Sequence, residues 1–246
     1  MMRLALFILL ALFLTTTSVY AEIAVFDDFN DNTVNTDFWS AGSASSGVTV
    51  AETNERVEIS FAPTASGDSF GGGCTGKMKL GGDFDLQVDY ILLEWPQSNG
   101  VRIGLSAVSP QNIGYIVERV SFEGGGDYCE KYLAFRNGMD FIAVTTDHQT
   151  GKLRLTRVGD LMSYYYYGDS DWELISSIPT TTEDMVFTIG AWSHDYCFCD
   201  SSVTFAFDNF KLTTVPEPSM VALLVFGSLG LIFLLKRNKS NFFHRL

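Results

Sequence analysis

From Val57 to Thr213 apolar and polar side chains alternate with a period of two. Phe84, Leu86, Val88, Tyr90 and Leu92 are interleaved with Asp85, Gln87, Asp89 and Ile91. Val101, Ile103, Leu105 and Ala107 are interleaved with Arg102, Gly104 and Ser106, and Met185, Phe187, Ile189 and Ala191 repeat the pattern late in the chain. Successive side chains of a strand point to opposite faces, so this alternation marks strands with one buried and one wet face. It predicts further strands at Val57–Phe61, Ile113–Phe122, Tyr132–Phe135, Phe141–Thr145, Lys152–Val158, Met162–Tyr167 and Trp172–Ile175, and at Val203–Phe207 with Phe210–Thr213. Gly81-Gly82, Asn99-Gly100, Gly124-Gly125-Gly126, Asn137-Gly138 and Gly168-Asp169 supply the turns between them. About a dozen short strands without sustained helical periodicity predict an all-β chain folded as an antiparallel β-sandwich, a jelly roll.

Two apolar stretches break the alternation. Arg3 precedes the run Leu4 to Leu14, and a polar stretch then ends in Ser18-Val19-Tyr20-Ala21. This is the pattern of a signal peptide over residues 1–21, with cleavage by signal peptidase after Ala21. At the other end, residues 219–235 carry no charge and are followed by Lys236-Arg237-Asn238-Lys239. As a helix they would extend about 25 Å, short but sufficient for a transmembrane helix. The basic cluster places the tail, 240–246, in the cytoplasm.

Val215-Pro216-Glu217-Pro218 stands immediately before that span. The order Pro-Glu-Pro, apolar span, basic cluster, over 215–239, resembles the PEP-CTERM sorting signal of Gram-negative bacteria. The resemblance implies that an exosortase recognises Pro216, Glu217 and Pro218. It also implies delivery from the inner membrane to the cell surface or the extracellular polysaccharide matrix.

The expected exported domain, 22–214, holds 28 of the 29 acidic side chains and 11 of the 16 Lys and Arg. So acidic a surface repels phosphates, which excludes a nucleic-acid partner. All four cysteines, Cys74, Cys129, Cys197 and Cys199, lie in this region, and an even count outside the cytoplasm predicts disulfides. Cys197 and Cys199 would point the same way along a strand, so each is expected to reach one of Cys74 and Cys129. The Cys-x-x-Cys spacing of a zinc site is absent.

Several strings carry a second likeness: Phe26-Asp27-Asp28-Phe29-Asn30-Asp31-Asn32, Phe84 to Tyr90, Gly151 to Gly159, Tyr164 to Tyr167 with Trp172, and Phe205-Ala206-Phe207-Asp208-Asn209-Phe210. Their order resembles the concanavalin A-like lectin/glucanase jelly roll in its laminin-G-like form. That resemblance implies first and last strands lying together, with Phe26 and Phe29 against Phe207 and Phe210. It also implies one structural Ca²⁺ held by Asp27, Asp28 and Asp208, hard oxygen ligands of the right kind. For a carbohydrate site the candidate aromatic faces are Trp95, Tyr115, Tyr165, Tyr167 and Trp192, with Asp89, Glu94, Arg102 and Glu118 as polar partners.

Glycosidases of this fold carry Glu-x-Asp-x-x-Glu on one strand. The stretch Asp85 to Glu94 lacks the first Glu, and Asp89 and Glu94, five apart, face opposite sides of a regular strand. Neither a Gly-x-Ser-x-Gly element nor a phosphate loop is present. The expectation is therefore a non-catalytic carbohydrate-binding or structural module of the exopolysaccharide matrix. The alternative is a polysaccharide-cleaving glycoside hydrolase of the same fold.

Overall fold

The computed structural model describes residues 23–124, 127–139 and 141–215, leaving aside the side chains of 23, 122–129 and 215. The segments expected to form the signal peptide, the membrane helix and the sorting signal lie outside these described residues. Among the described residues no helix is long and apolar enough to cross a membrane.

The alternation becomes fifteen strands: β1 (Ile23–Asp27), β2 (Trp39–Gly42), β3 (Val48–Thr53), β4 (Arg56–Phe61), β5 (Phe70–Gly76), β6 (Asp83–Glu94), β7 (Arg102–Val108), β8 (Gly114–Gly124), β9 (Asp127–Arg136), β10 (Ile142–Thr145), β11 (Thr150–Val158), β12 (Leu161–Tyr167), β13 (Trp172–Pro179), β14 (Val186–Ser193) and β15 (Val203–Val215). They form two antiparallel sheets. The first runs β13-β12-β11-β6-β15-β4-β3 with β1 paired to β15, and the second runs β10-β9-β8-β7-β14-β5-β2.

The inward positions are those the period predicts. Leu86, Val88, Tyr90, Leu153, Leu155, Phe205 and Phe207 of the first sheet meet Ile103, Leu105, Val117, Phe187 and Ile189 of the second, all removed from water. Each large side chain so buried contributes about 1.5–3 kcal/mol. The expected hairpin at Gly159-Asp160 is present, with Val158 opposite Leu161.

The first and last strands pair as expected, from Ile23 opposite Thr214 to Asp27 opposite Phe210. The contact between them differs in one residue: Phe26 is 62% exposed, because alternation along β1 turns it outward. Trp39 takes that role from β2. Its ring lies 4.8 Å from Phe210, and its Nε1 donates to Asp27 Oδ2 at 2.9 Å.

Two arginines are buried between the sheets. Arg157 donates from Nε to the Gly82 carbonyl at 2.7 Å, from Nη1 to those of Thr181 and Glu183 at 3.2 and 2.6 Å, and from Nη2 to that of Leu80 at 3.3 Å. Its guanidinium also lies 4.9 Å from the Phe84 ring centre. Arg119 pairs with Glu130, whose carboxylate also accepts the Trp95 indole N–H at 3.2 Å.

The expected cysteine bridges are not formed by the cysteines described. Cys74, Cys197 and Cys199 are free thiols, while the Cys129 side chain lies outside those described. The reason is orientation: Cys74 points inward from β5 and is fully buried in the core, and burial pushes its thiol up to about 12. Cys197 lies in the loop after β14, with Sγ 3.4 Å from the His194 carbonyl.

Candidate functional site

One carboxyl group on the outward side of the second sheet is out of the ordinary. Glu118 stands on β8, between Tyr115 and Val117, which face the core, and Leu133 of β9, its neighbour across the strands. Its exposure is 0%, and neither carboxyl oxygen has a hydrogen-bond partner. Arg102 Nη1 of β7 is 3.8 Å from Oε1, an ion-pair distance too long for a hydrogen bond. Desolvation outweighs that cation and raises the Glu118 carboxyl to about 8, which favours its protonated form.

The row of positions across the sheet in register with Glu118 carries no side chains. Gly73, Gly190, Gly104 and Glu118 are successive partners across β5, β14, β7 and β8. A Cβ on Gly104 would lie 2.1 Å from the Val117 carbonyl oxygen, and one on Gly73 2.3 Å from that of Ile189. Side chains are sterically excluded there, which leaves a strip of backbone beside the acid. Trp192, half-buried, is the register partner of Arg102. The structure thus brings together Trp192, Arg102 and Glu118, three of the residues expected at a carbohydrate site.

The other expected residues divide between two places. Tyr115 faces the core at 1% exposure, and Trp95 sits against Phe205, Glu130 and Arg119, so both serve packing. Tyr165 and Tyr167 lie on the outer side of the first sheet, where Tyr167 lines a cleft of about 420 Å³ with Asp89, His148, Lys152, Asp169 and Asp208. Asp89 receives Lys152 Nζ at 2.9 Å, and Glu94 is exposed at the end of β6. Burial raises the Asp208 carboxyl, and the charges of Asp89 and Asp28 push the same way.

Of the expected calcium ligands, Asp27 is already engaged by the Phe29 N–H at 3.0 Å and by the Trp39 indole. Asp208 Oδ1 accepts the Asn209 N–H at 2.6 Å. Among the described residues no group of three or more His, Cys, Asp or Glu is placed to hold a metal ion.

Residues 24–188 match the model of the family described as "Protein of unknown function (DUF1583) C domain", well over half of the chain. The chain belongs to that family. No curated protein matches the DUF1583 chain.

Among solved structures, this DUF1583 C domain is similar to one from the human gut microbiota, from work titled for endo-acting O-glycanases that initiate mucin breakdown. The TM-score is 0.57 at 10% identity, over 78% of this chain and 99% of the other. It is similar to a LamA variant from Z. galactanivorans in complex with laminaritriose and laminaritetraose, with TM-score 0.56 and 8% identity over 80% and 100% of the two chains. It is also similar to the Crh5 transglycosylase in complex with NAG, with TM-score 0.55 and 12% identity over 79% and 85%. At such identities the likeness is one of fold, and the fold is the concanavalin A-like sandwich.

These likenesses overturn the expectation that the DUF1583 chain is not an enzyme, because structures sharing its sandwich include a transglycosylase and come from work on O-glycanases. Glu118-Arg119-Val120-Ser121-Phe122-Glu123 keeps both Glu at the Glu-x-Asp-x-x-Glu spacing, with Val120 in place of the Asp. β8 pairs with β9 without a register shift, from Tyr115 opposite Arg136 to Gly124 opposite Asp127, so only one of the two Glu positions can share the outer face.

Proposed function

We propose that the domain is a carbohydrate-active enzyme that cleaves or transfers the glycosidic bonds of a polysaccharide, with Glu118 as proton donor. One observation carries this reading: a wholly buried carboxyl group, accepting no hydrogen bond, raised to about 8 and set beside a backbone strip. A carboxyl group kept neutral at physiological pH by a dry environment is suited to general-acid work. Its proton passes to the leaving glycosidic oxygen as the bond to the anomeric carbon breaks. Water, or an acceptor hydroxyl in transfer, forms the new bond to that carbon and gives its proton back to the Glu118 carboxylate. The Glu118 carboxylate left behind is stabilised by Arg102, 3.8 Å away. Arg102 and Trp192 are partly exposed beside Glu118, and the apolar face of the sugar stacks on the indole.

The test is release of new reducing ends from laminarin, mixed-linkage β-glucan and mucin O-glycans, measured for the wild type and for E118Q. Release by the wild type and its loss in E118Q supports the reading. No release from any substrate, or full activity in E118Q, overturns it.

We propose further that the domain is exported, held by residues 219–235, and sorted by an exosortase to the cell surface or the polysaccharide matrix. The order of Pro216-Glu217-Pro218, apolar span and basic cluster supports this. In the native host, intact mass of the mature chain is expected to show loss of residues 1–21 and of the C-terminal span. Replacing the triplet by alanines is expected to retain the span. Unchanged processing in that variant would show that the triplet is not the signal.

A further inference from the structure

The outer face of the first sheet carries a group of aromatic rings that the reading above does not use. Tyr165, Tyr167 and Trp172 stand on β12 and β13, Tyr165 beside Leu174 and Tyr167 opposite Trp172. All three rings are half-buried. They are held rigidly. Asp85 grips Arg154 through two hydrogen bonds of 3.0 and 2.6 Å, and the Arg154 guanidinium lies 5.3 Å from the Tyr165 ring and 5.5 Å from the Trp172 ring. Tyr167 and Trp172 meet edge to face, 5.4 Å between centres. A fixed aromatic platform is the surface on which the apolar face of a sugar ring stacks.

The platform leads into the cleft of about 420 Å³, because Tyr167 belongs to both. A smaller lobe of about 220 Å³ continues from it, sharing His148, Gly168 and Asp169 and adding Asp147 and Glu173. The cleft volume is in the range of small-ligand sites. Its back wall is ordered from within: Tyr132 O–H and His148 Nδ1 are 3.1 Å apart, and Tyr132 and the buried Tyr90 hydroxyl are 2.7 Å apart.

The charges select the ligand. Lys152 is paired with Asp89, which leaves Asp147, Asp169 and Asp208 without an ion-pair partner among the described residues. A neutral glycan would meet this excess of negative charge without compensating it, and an acidic one would be repelled. The carboxylates do not converge as a metal set. They are distributed along a cleft that opens from an aromatic platform. We infer that this face is a second glycan site, distinct from the Glu118 face, and that it takes an oligosaccharide whose sugars bear protonated amines, of the glucosamine type. The rings stack on Tyr165, Tyr167 and Trp172, and the ammonium groups sit against Asp169 and Asp208.

The inference is tested by calorimetric titration of full-length E118Q protein, which lacks the proposed proton donor, with the tetramer of glucosamine and with the tetramer of N-acetylglucosamine. The expected result is at least tenfold tighter binding of the glucosamine tetramer, with that preference falling in 1 M salt because exposed charges are screened there. D169N/D208N, a surface change that leaves the core intact, is expected to abolish the preference, and W172A to weaken both sugars at least tenfold. Equal binding of the two tetramers, or binding of neither, overturns the inference. Spermine binding as tightly as the glucosamine tetramer overturns the part assigned to the rings. None of these outcomes depends on catalysis, so the reading of Glu118 stands or falls separately.

Discussion

Glu118→Gln is expected to slow glycosidic cleavage at least 100-fold and at the same time to make the protein more stable above pH 8. The first effect follows from removing the proton, since general-acid catalysis contributes roughly 10²–10⁴-fold. The second follows from linkage. The Glu118 carboxyl ionises near its ordinary 4.5 in the unfolded chain and near 8 in the folded one. Between those values the folded state holds a proton that the unfolded state has released. Stability therefore falls as pH rises from about 4.5 to 8 and is level with respect to this group outside that window. At about 1.4 kcal/mol for each pH unit of difference, the loss is roughly 3–5 kcal/mol. Gln keeps the shape and cannot ionise, so its stability lacks this slope. Urea unfolding at pH 5, 7 and 9 checks the expectation. If wild-type and E118Q stabilities stay parallel across that range, Glu118 is already ionised against Arg102 in the folded protein, and it cannot be the proton donor.

Arg157→Lys is expected to lower stability by roughly 3–5 kcal/mol, the range for breaking a buried charged network. Arg157 is 1% exposed and serves four carbonyls, those of Leu80, Gly82, Thr181 and Glu183, from a single planar group. An ammonium group has neither the reach nor the fork geometry to serve both stretches of chain. The Leu80 carbonyl keeps the Met185 N–H at 3.0 Å, while those of Gly82, Thr181 and Glu183 lose the donors that the guanidinium supplied. Thermal unfolding should show the midpoint reduced by roughly 10 °C for a domain of this size. An unchanged midpoint would mean that water or another donor satisfies those carbonyls when the guanidinium is gone.

The sandwich was legible wherever alternation was clean. Phe84 to Leu92 predicted an inward face, and all five residues are buried. Arg157 could also have been noticed, since it occupies an inward position between Leu155 and Val158 in a strand that alternates. β5 was not legible: Gly71-Gly72-Gly73 has no side chains to alternate, and its pairing with β14 is set by close backbone approach. The residues of the proposed site can be named from the sequence, but their grouping cannot. Trp192, Arg102 and Glu118 are far apart in the chain, and only strand register makes them neighbours. What distinguishes Glu118 from the other acids is its complete removal from water, a property of the folded surroundings that no spacing encodes. The cysteine reading failed for the same kind of reason, because parity of count says nothing about Cys74 pointing into the core.

The pairing of β1 with β15 also decides how the domain bears load. Because the two strands are antiparallel and their outer ends meet at Ile23 and Thr214, tension applied across both ends would unzip them one hydrogen bond at a time, at low force. A pull entering through the C-terminal end alone, against resistance from a bound polymer, meets a different geometry. β15 lies inside its sheet between β6 and β4, and it must slide past its neighbours with many bonds loaded together. The domain is built to hold when tethered by its C-terminal end and to come apart when stretched by both.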